Sequence, residues 1–186
     1  MRHLLLSALA LVISGCAREA PRTDAAAGCT HSATHNVQWS SEQAADAVSV
    51  RADGPTCAEA VVLFVLRRAD GALLWTFATP YSDMRPGGRM DPVAADGDEV
   101  EAFLASWADV SINRSGALPP WNEGAAAPGD ANGALNYSTA HDRETYEALR
   151  LRDLPQLCLA VAAEATQCLV MDPVSQAPTA IVAFGP

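Results

Sequence analysis

The chain has 186 residues, is 49% hydrophobic and carries a net charge of −10; its twelve basic residues are all arginine. That length amounts to one domain, and the apolar fraction suffices for a packed core. The acidity argues against a nucleic-acid binder and against adhesion to anionic lipid head groups, since both draw their affinity from Lys/Arg-rich surfaces.

Met1-Arg2-His3 is a short positive start, followed by an apolar run from Leu4 to Ile13 broken only by Ser7. A spanning helix needs about 20 apolar residues, so this run has the length of a signal-peptide core over residues 1–15. Ile13-Ser14-Gly15-Cys16 resembles the lipobox of bacterial lipoproteins: an aliphatic residue, two small ones, then cysteine. The resemblance implies cleavage before Cys16, a diacylglycerol on its sulfur and an acyl group on the new amino terminus. Each buried acyl CH₂ adds about 0.8 kcal/mol, so several chains hold a protein firmly at a membrane. Family members with Asp after the cysteine stay in the inner membrane. Ala17 at that position points to an outer-membrane lipoprotein facing the periplasm. Residues 16–28 lack apolar periodicity and read as the lipidated N-terminus and a flexible tether.

The rest, 29–186, is expected to form a single α+β domain with a mostly antiparallel sheet and one or two packed helices. "NVQWSS" (36–41) and "DAVSVRADG" (46–54) alternate as short strands, and "SSEQAADA" (40–47) offers the alternative of a helical turn capped by Ser40 or Ser41. "AVVLFVLRRADGALLWTFATP" (60–80) reads as a hairpin about an Asp70-Gly71 two-residue turn, which would set Ala69 opposite Ala72, Leu66 opposite Trp75 and Phe64 opposite Phe77. Both faces of this hairpin are apolar, which predicts a central position covered on both sides. "RPGGRMDP" (85–92) is a loop. Val100, Phe103, Leu104 and Trp107 recur at helical spacing over 96–110, with Asp96 or Asp98 as cap. Residues 111–138, rich in Gly, Pro, Asn and Ala, predict a long irregular loop. A short helix over 139–149, with Tyr146 and Leu149 inward, precedes a hairpin and a last strand.

Four cysteines remain beyond Cys16. An exported domain is expected to pair them. A tight turn near Ala163 would set Cys158 opposite Cys168, which leaves Cys29 for Cys57. No C-x-x-C spacing suggests a redox motif or zinc ribbon, and no cofactor is expected.

Several groupings carry possible chemistry. Cys29, His31 and His35 offer thiolate and imidazole donors, but on an extended chain His31 and His35 lie about 13 Å apart, too far to share an ion. Ser138, His141 and Asp142 have the residue types of a hydrolase triad, crowded into five positions without a G-x-S-x-G elbow. Helix capping by Ser138 or Thr139, with Asp142 completing a capping box, accounts for them more simply. Arg85, Gly87, Gly88 and Arg89 suit a surface turn, and Asp91, Asp96, Asp98, Glu99 and Glu101 lack EF-hand spacing. Trp121, in a Pro/Gly-rich loop, is either a plug on the core or a contact residue.

The expected function is that of a membrane-anchored cell-envelope lipoprotein with a non-enzymatic binding or interaction domain and an envelope protein as partner. A hydrolase using His141 with Ser138 or Asp142 is the competing reading. A metal-binding lipoprotein using His31 and His35 is the third.

Overall fold

The computed structural model describes residues 28–87, 96–129 and 133–186. The signal segment, Cys16, nearly all of the tether, and Gly88, Arg89 and Asp91 lie outside the described residues. No helix among those described is long and apolar enough to cross a membrane.

Among the described residues, nine strands form two antiparallel sheets rather than one. The first is a meander of β1 (Cys29–Val37), β2 (Asp46–Gly54), β3 (Val61–Arg67) and β4 (Leu73–Pro80) in chain order. The second contains β5 (Ile112–Arg114), β6 (Asn136–Ser138), β7 (Pro155–Ala162), β8 (Ala165–Met171) and β9 (Pro178–Gly185), in the order β5-β7-β8-β9-β6. Helix α1 (Gly97–Ala108) follows the first sheet, and α2 (Arg143–Leu151) lies between β6 and β7.

The alternation in 46–54 gives β2 its expected bounds. Val48, Val50 and Ala52 face inward beside Val62, Phe64 and Leu66 of β3, all essentially inaccessible. The 36–41 segment departs from expectation. The strand ends at Val37 and extends upstream to Cys29, where its polar outer face hides it from a hydrophobicity pattern. Residues 38–45 form bends rather than a helical turn.

The 60–80 hairpin keeps Leu66 opposite Trp75 and Phe64 opposite Phe77. Its turn is one residue longer than expected. Arg68 N–H donates to Ala72 O, Gly71 N–H donates to Arg68 O, and Gly71 alone takes a positive φ, 86°. This is a three-residue loop closed by a glycine bulge, and the register shift at Leu66/Arg67 absorbs the extra residue. Nor is the hairpin central: β4 is the edge of its sheet. Only the Val62/Phe64/Leu66 face is buried, and Val61 on the other face is 50% exposed.

Helix α1 has the expected cap, with Asp96 accepting from Glu99 N–H at 2.8 Å. Its Val100, Leu104 and Trp107 enter the core between the inner face of the first sheet and Leu157, Leu159 and Leu169 of the second. Trp107 is the centre of an aromatic cluster, with ring centroids 5.5 Å from Phe64, 6.3 Å from Phe77 and 5.4 Å from Phe103. Its indole N–H donates to Ala160 O of β7 at 3.1 Å. A second core on the far side of β7–β9 gathers Tyr146 and Leu149 of α2 with Leu118, Cys168, Val170, Ile181 and Val182.

The 111–138 segment holds β5, a 3-10 turn over Ser115–Ala117 and β6, so it is less irregular than its composition suggests. Ser115, fully buried, donates through Oγ to Leu149 O and accepts Leu154 N–H, which fixes the turn against the end of α2. Both expected disulfides are present: Cys29–Cys57 ties the start of β1 to the β2–β3 loop, and Cys158–Cys168 links directly opposed residues of β7 and β8.

Trp107→Ala is expected to lower unfolding free energy by about 3–5 kcal/mol, because it empties the centre of the core. Trp107→Phe keeps a ring and loses mainly the indole hydrogen bond, so its loss should be smaller, about 1–3 kcal/mol. Urea denaturation of both variants checks the order; an alanine variant as stable as the phenylalanine one would contradict it.

Candidate functional site

A cleft of about 520 Å³ lies where the 38–43 segment meets β5 and the start of β7. Its formation begins with two local constraints. Asp46, wholly buried, accepts Ser40 N–H at 2.6 Å and Ser40 Oγ–H at 2.7 Å. Ser41 Oγ accepts Gln43 N–H at 3.0 Å, which closes the next bend. Between β1 and these bends Trp39 turns inward, 3% exposed, and donates its indole N–H to Pro155 O at 3.1 Å. The segment is therefore pinned at both ends, and the cleft is preformed.

One wall is polar, with Gln38, Ser41, Glu42 and Gln43; Ile112, Pro155 and Met171 supply apolar surface opposite. Arg114 at the rim forms a 3.1 Å ion pair with Asp153. Asp153 has a positive φ, 52°, just past the end of α2, a position where glycine or asparagine is usual. This composition suits reversible binding of a molecule with an apolar body and hydrogen-bonding edges.

The triad-like residues are placed apart by function. Ser138 ends β6 and its Oγ lies 3.5 Å from Ala183 O. Thr139 Oγ1 donates to Ile181 O at 2.7 Å and accepts His141 N–H. His141 Nε2 lies 3.1 Å from Ala180 O. Asp142 is itself the N-cap of α2, accepting Thr145 N–H at 2.8 Å. So the cap falls on Asp142 rather than Ser138 or Thr139. A shallow pocket of about 300 Å³ touches Ser138 and Thr139 but is not lined by His141 or Asp142.

Trp121 is half-buried and stacks edge-on against Tyr146, with centroids 6.0 Å apart. Its N–H donates to Glu147 Oε1 and its indole to Ala125 O. Tyr146 donates its hydroxyl to Pro119 O at 2.7 Å, and burial pushes its pKa up to about 12, so it remains a donor across the physiological range. Burial works against the Glu147 charge, yet Trp121 N–H and the Arg150 guanidinium hold its carboxyl below the ordinary range. The 118–125 segment is thus clamped onto α2, and Trp121 serves there as a plug.

The "CTHSATH" trio divides. His35 Nε2 lies 3.6 Å from Asp109, on the flank of α1. Cys29 and His31, two residues apart on the inward side of β1, instead meet Cys57, and the ligand atoms of these three lie within 4.8 Å of one another. Cys57 arrives through the disulfide, and the disulfide pairing was the sequence's signal for it. The cleft had no comparable signal, because its two walls are far apart in the chain. Comparison with known proteins finds no matching family model, no matching curated protein and no matching solved structure.

The Asp142 cap gives a signed pH test. Hydrogen bonding from Thr145 N–H, reinforced by the Thr145 side chain, lowers the Asp142 pKa. A carboxyl whose folded value is depressed contributes stability above its unfolded pKa, and that contribution is lost as pH falls through the folded value. The thermal midpoint of Asp142→Ala should therefore fall below that of the parent at neutral pH, and the gap should narrow on acidification. A gap independent of pH would show that the carboxylate's charge does not matter to the cap.

Proposed function

We propose that this chain is a lipid-anchored protein of the bacterial cell envelope whose folded domain binds rather than transforms its target. The observation that carries the anchoring is Ile13-Ser14-Gly15-Cys16, in which Ile13 closes the apolar run that begins at Leu4. Two cross-linked cysteine pairs suit the oxidising space outside the cytoplasm. Binding is favoured over hydrolysis because the polar atoms of Ser138, His141 and Asp142 are engaged with separate backbone groups. The preformed cleft under Trp39 is the contact site, and its target is a periplasmic molecule or a segment of an envelope protein. The Trp121 loop, clamped on α2, is the lesser contact surface.

Expression in a Gram-negative host tests the anchor. The parent chain should fractionate with membranes and yield an N-terminal peptide beginning at acylated Cys16. Cys16→Ser should release the domain from membranes with both disulfides intact. An unacylated, freely soluble parent protein, or a Cys16→Ser variant that stays membrane-bound, would refute it.

A further inference from the structure

We infer that Cys29, Cys57 and His31 form a redox-gated site for a d¹⁰ metal ion, closed while the disulfide is intact and opened by its reduction. The donor set is built by the fold. Cys29 pairs with Gly54 and His31 with Ala52 across the β1–β2 ladder, so both side chains project from the same side of an ordered strand. Cys57 sits in a turn held independently of its sulfur, with Glu59 N–H on Thr56 O and Ala60 N–H on Cys57 O. The imidazole is seated against the first turn of α1: a Cβ on Gly97 would fall 3.1 Å from His31 Cε1 and Nε2, so glycine there makes room for the ring. The three donor groups already lie within 4.8 Å of one another.

Each disulfide pairs one buried cysteine with one half-buried one, Cys29 with Cys57 and Cys168 with Cys158. Cys168 is fully buried in the second core. Cys29 is 2% exposed, but Cys57 is only half-buried, so a dithiol reductant reaches the Cys57 sulfur from solvent. Its thiolate attacks that sulfur and Cys29 departs as thiolate. The reductant's second thiol then displaces Cys57 and closes a disulfide of its own. The reductant gives up two electrons and two protons, and the protein gains two thiols. On binding the ion both thiols release their protons to solvent, and neutral imidazole supplies the third donor. Two thiolates on one tetrahedral zinc stand about 3.8 Å apart, given Zn–S bonds of about 2.3 Å. Side-chain rotation reaches that separation from Cα atoms 4.7 Å apart. A thiolate-rich, three-donor set suits Zn²⁺ or Cu⁺ and leaves a fourth position for water or an exchangeable ligand.

The test reduces the folded domain with limiting dithiothreitol, removes the reductant anaerobically, and maps the free thiols by alkylation and mass spectrometry. Cd²⁺ then serves as the probe, read by its ultraviolet thiolate charge-transfer band, with Zn²⁺ as competitor. Cys29 and Cys57 should be among the alkylated residues. One Cd²⁺ should bind per reduced chain and none to the oxidised chain. His31→Ala, which leaves both cysteines in place, should weaken the affinity by about tenfold or more. A Cys29–Cys57 bridge that resists reduction in the folded domain, equal binding by the oxidised chain, or unchanged affinity in His31→Ala would each overturn the inference. So would a reduced domain that fails to bind Cd²⁺, or one that loses its far-ultraviolet circular dichroism and does not regain it when the ion is added.

Discussion

Two indole N–H groups hold the architecture together. The first sheet is a local meander, and the second is assembled from segments far apart in the chain, so their relative placement depends on what crosses between them. Trp39 donates to Pro155 O and Trp107 donates to Ala160 O. Both acceptors lie on β7. Strand β5 covers only residues 155–157 of that edge, which leaves the remaining carbonyls in need of other partners. An unpaired buried carbonyl forfeits about 1–3 kcal/mol, so supplying Ala160 O with a tryptophan donor both caps the edge and fixes α1 against it. The β7–β8 turn is fastened in the same way, with Ala163 N–H on Asp83 O. The apolar rings of both tryptophans fill the core that the two sheets share, so each residue supplies packing and a directional bond together.

The candidate cleft follows from this arrangement. Because Trp39 must reach β7, the chain leaves the β1 ladder after Val37 and cannot run directly into β2. The bends over 38–45 make the detour, and the buried Asp46 carboxylate returns the chain to the sheet by gathering Ser40 through backbone and hydroxyl. The polar groups that line the cleft are residues of this detour. A lip held by these hydrogen bonds against an apolar strand edge is a physical reason for a binding surface there.

Legibility in the sequence followed the range of the interaction responsible. The bounds of β2 and the face of α1 were readable because period-two and helical spacing are local. The register of the β3–β4 hairpin was readable as well, yet its turn was not: Asp70-Gly71 satisfies a two-residue turn and a three-residue bulged turn equally, and the choice lies in the φ of Asp70. The apolar outer face of that hairpin suggested a covering layer that the described residues do not provide. The division into two sheets was hidden because it depends on pairings such as β6 with β9, separated by α2 and the β7–β8 hairpin. The cleft was hidden for the same reason, with the Trp39–Pro155 bond spanning 116 positions. Cys158–Cys168 was readable from the tight turn between its residues, and Cys29–Cys57 followed by elimination. His31 as the neighbour of that second bridge was only half visible, since alternation sets it on the same side as Cys29 but says nothing of where Cys57 lies.

The position of Cys29–Cys57 acquires a mechanical meaning under the proposed anchoring. A tether fixed at Cys16 would transmit tension into the domain through Gly28 at Cys29, the first residue of an edge strand. An edge strand pulled from its end unzips one ladder pair at a time, and each step meets only a small resistance. The bridge changes that path. It carries force past β1 to Cys57, in the connection between β2 and β3, where two strands with fully buried inward faces must yield together. The same covalent bond that withholds two thiolates from a metal is then the bond that shields β1 from peeling. Reduction would exchange a mechanically closed entry for a chemically open one, and coordination by three donors from β1 and the β2–β3 loop would restore a cross-link between the same elements.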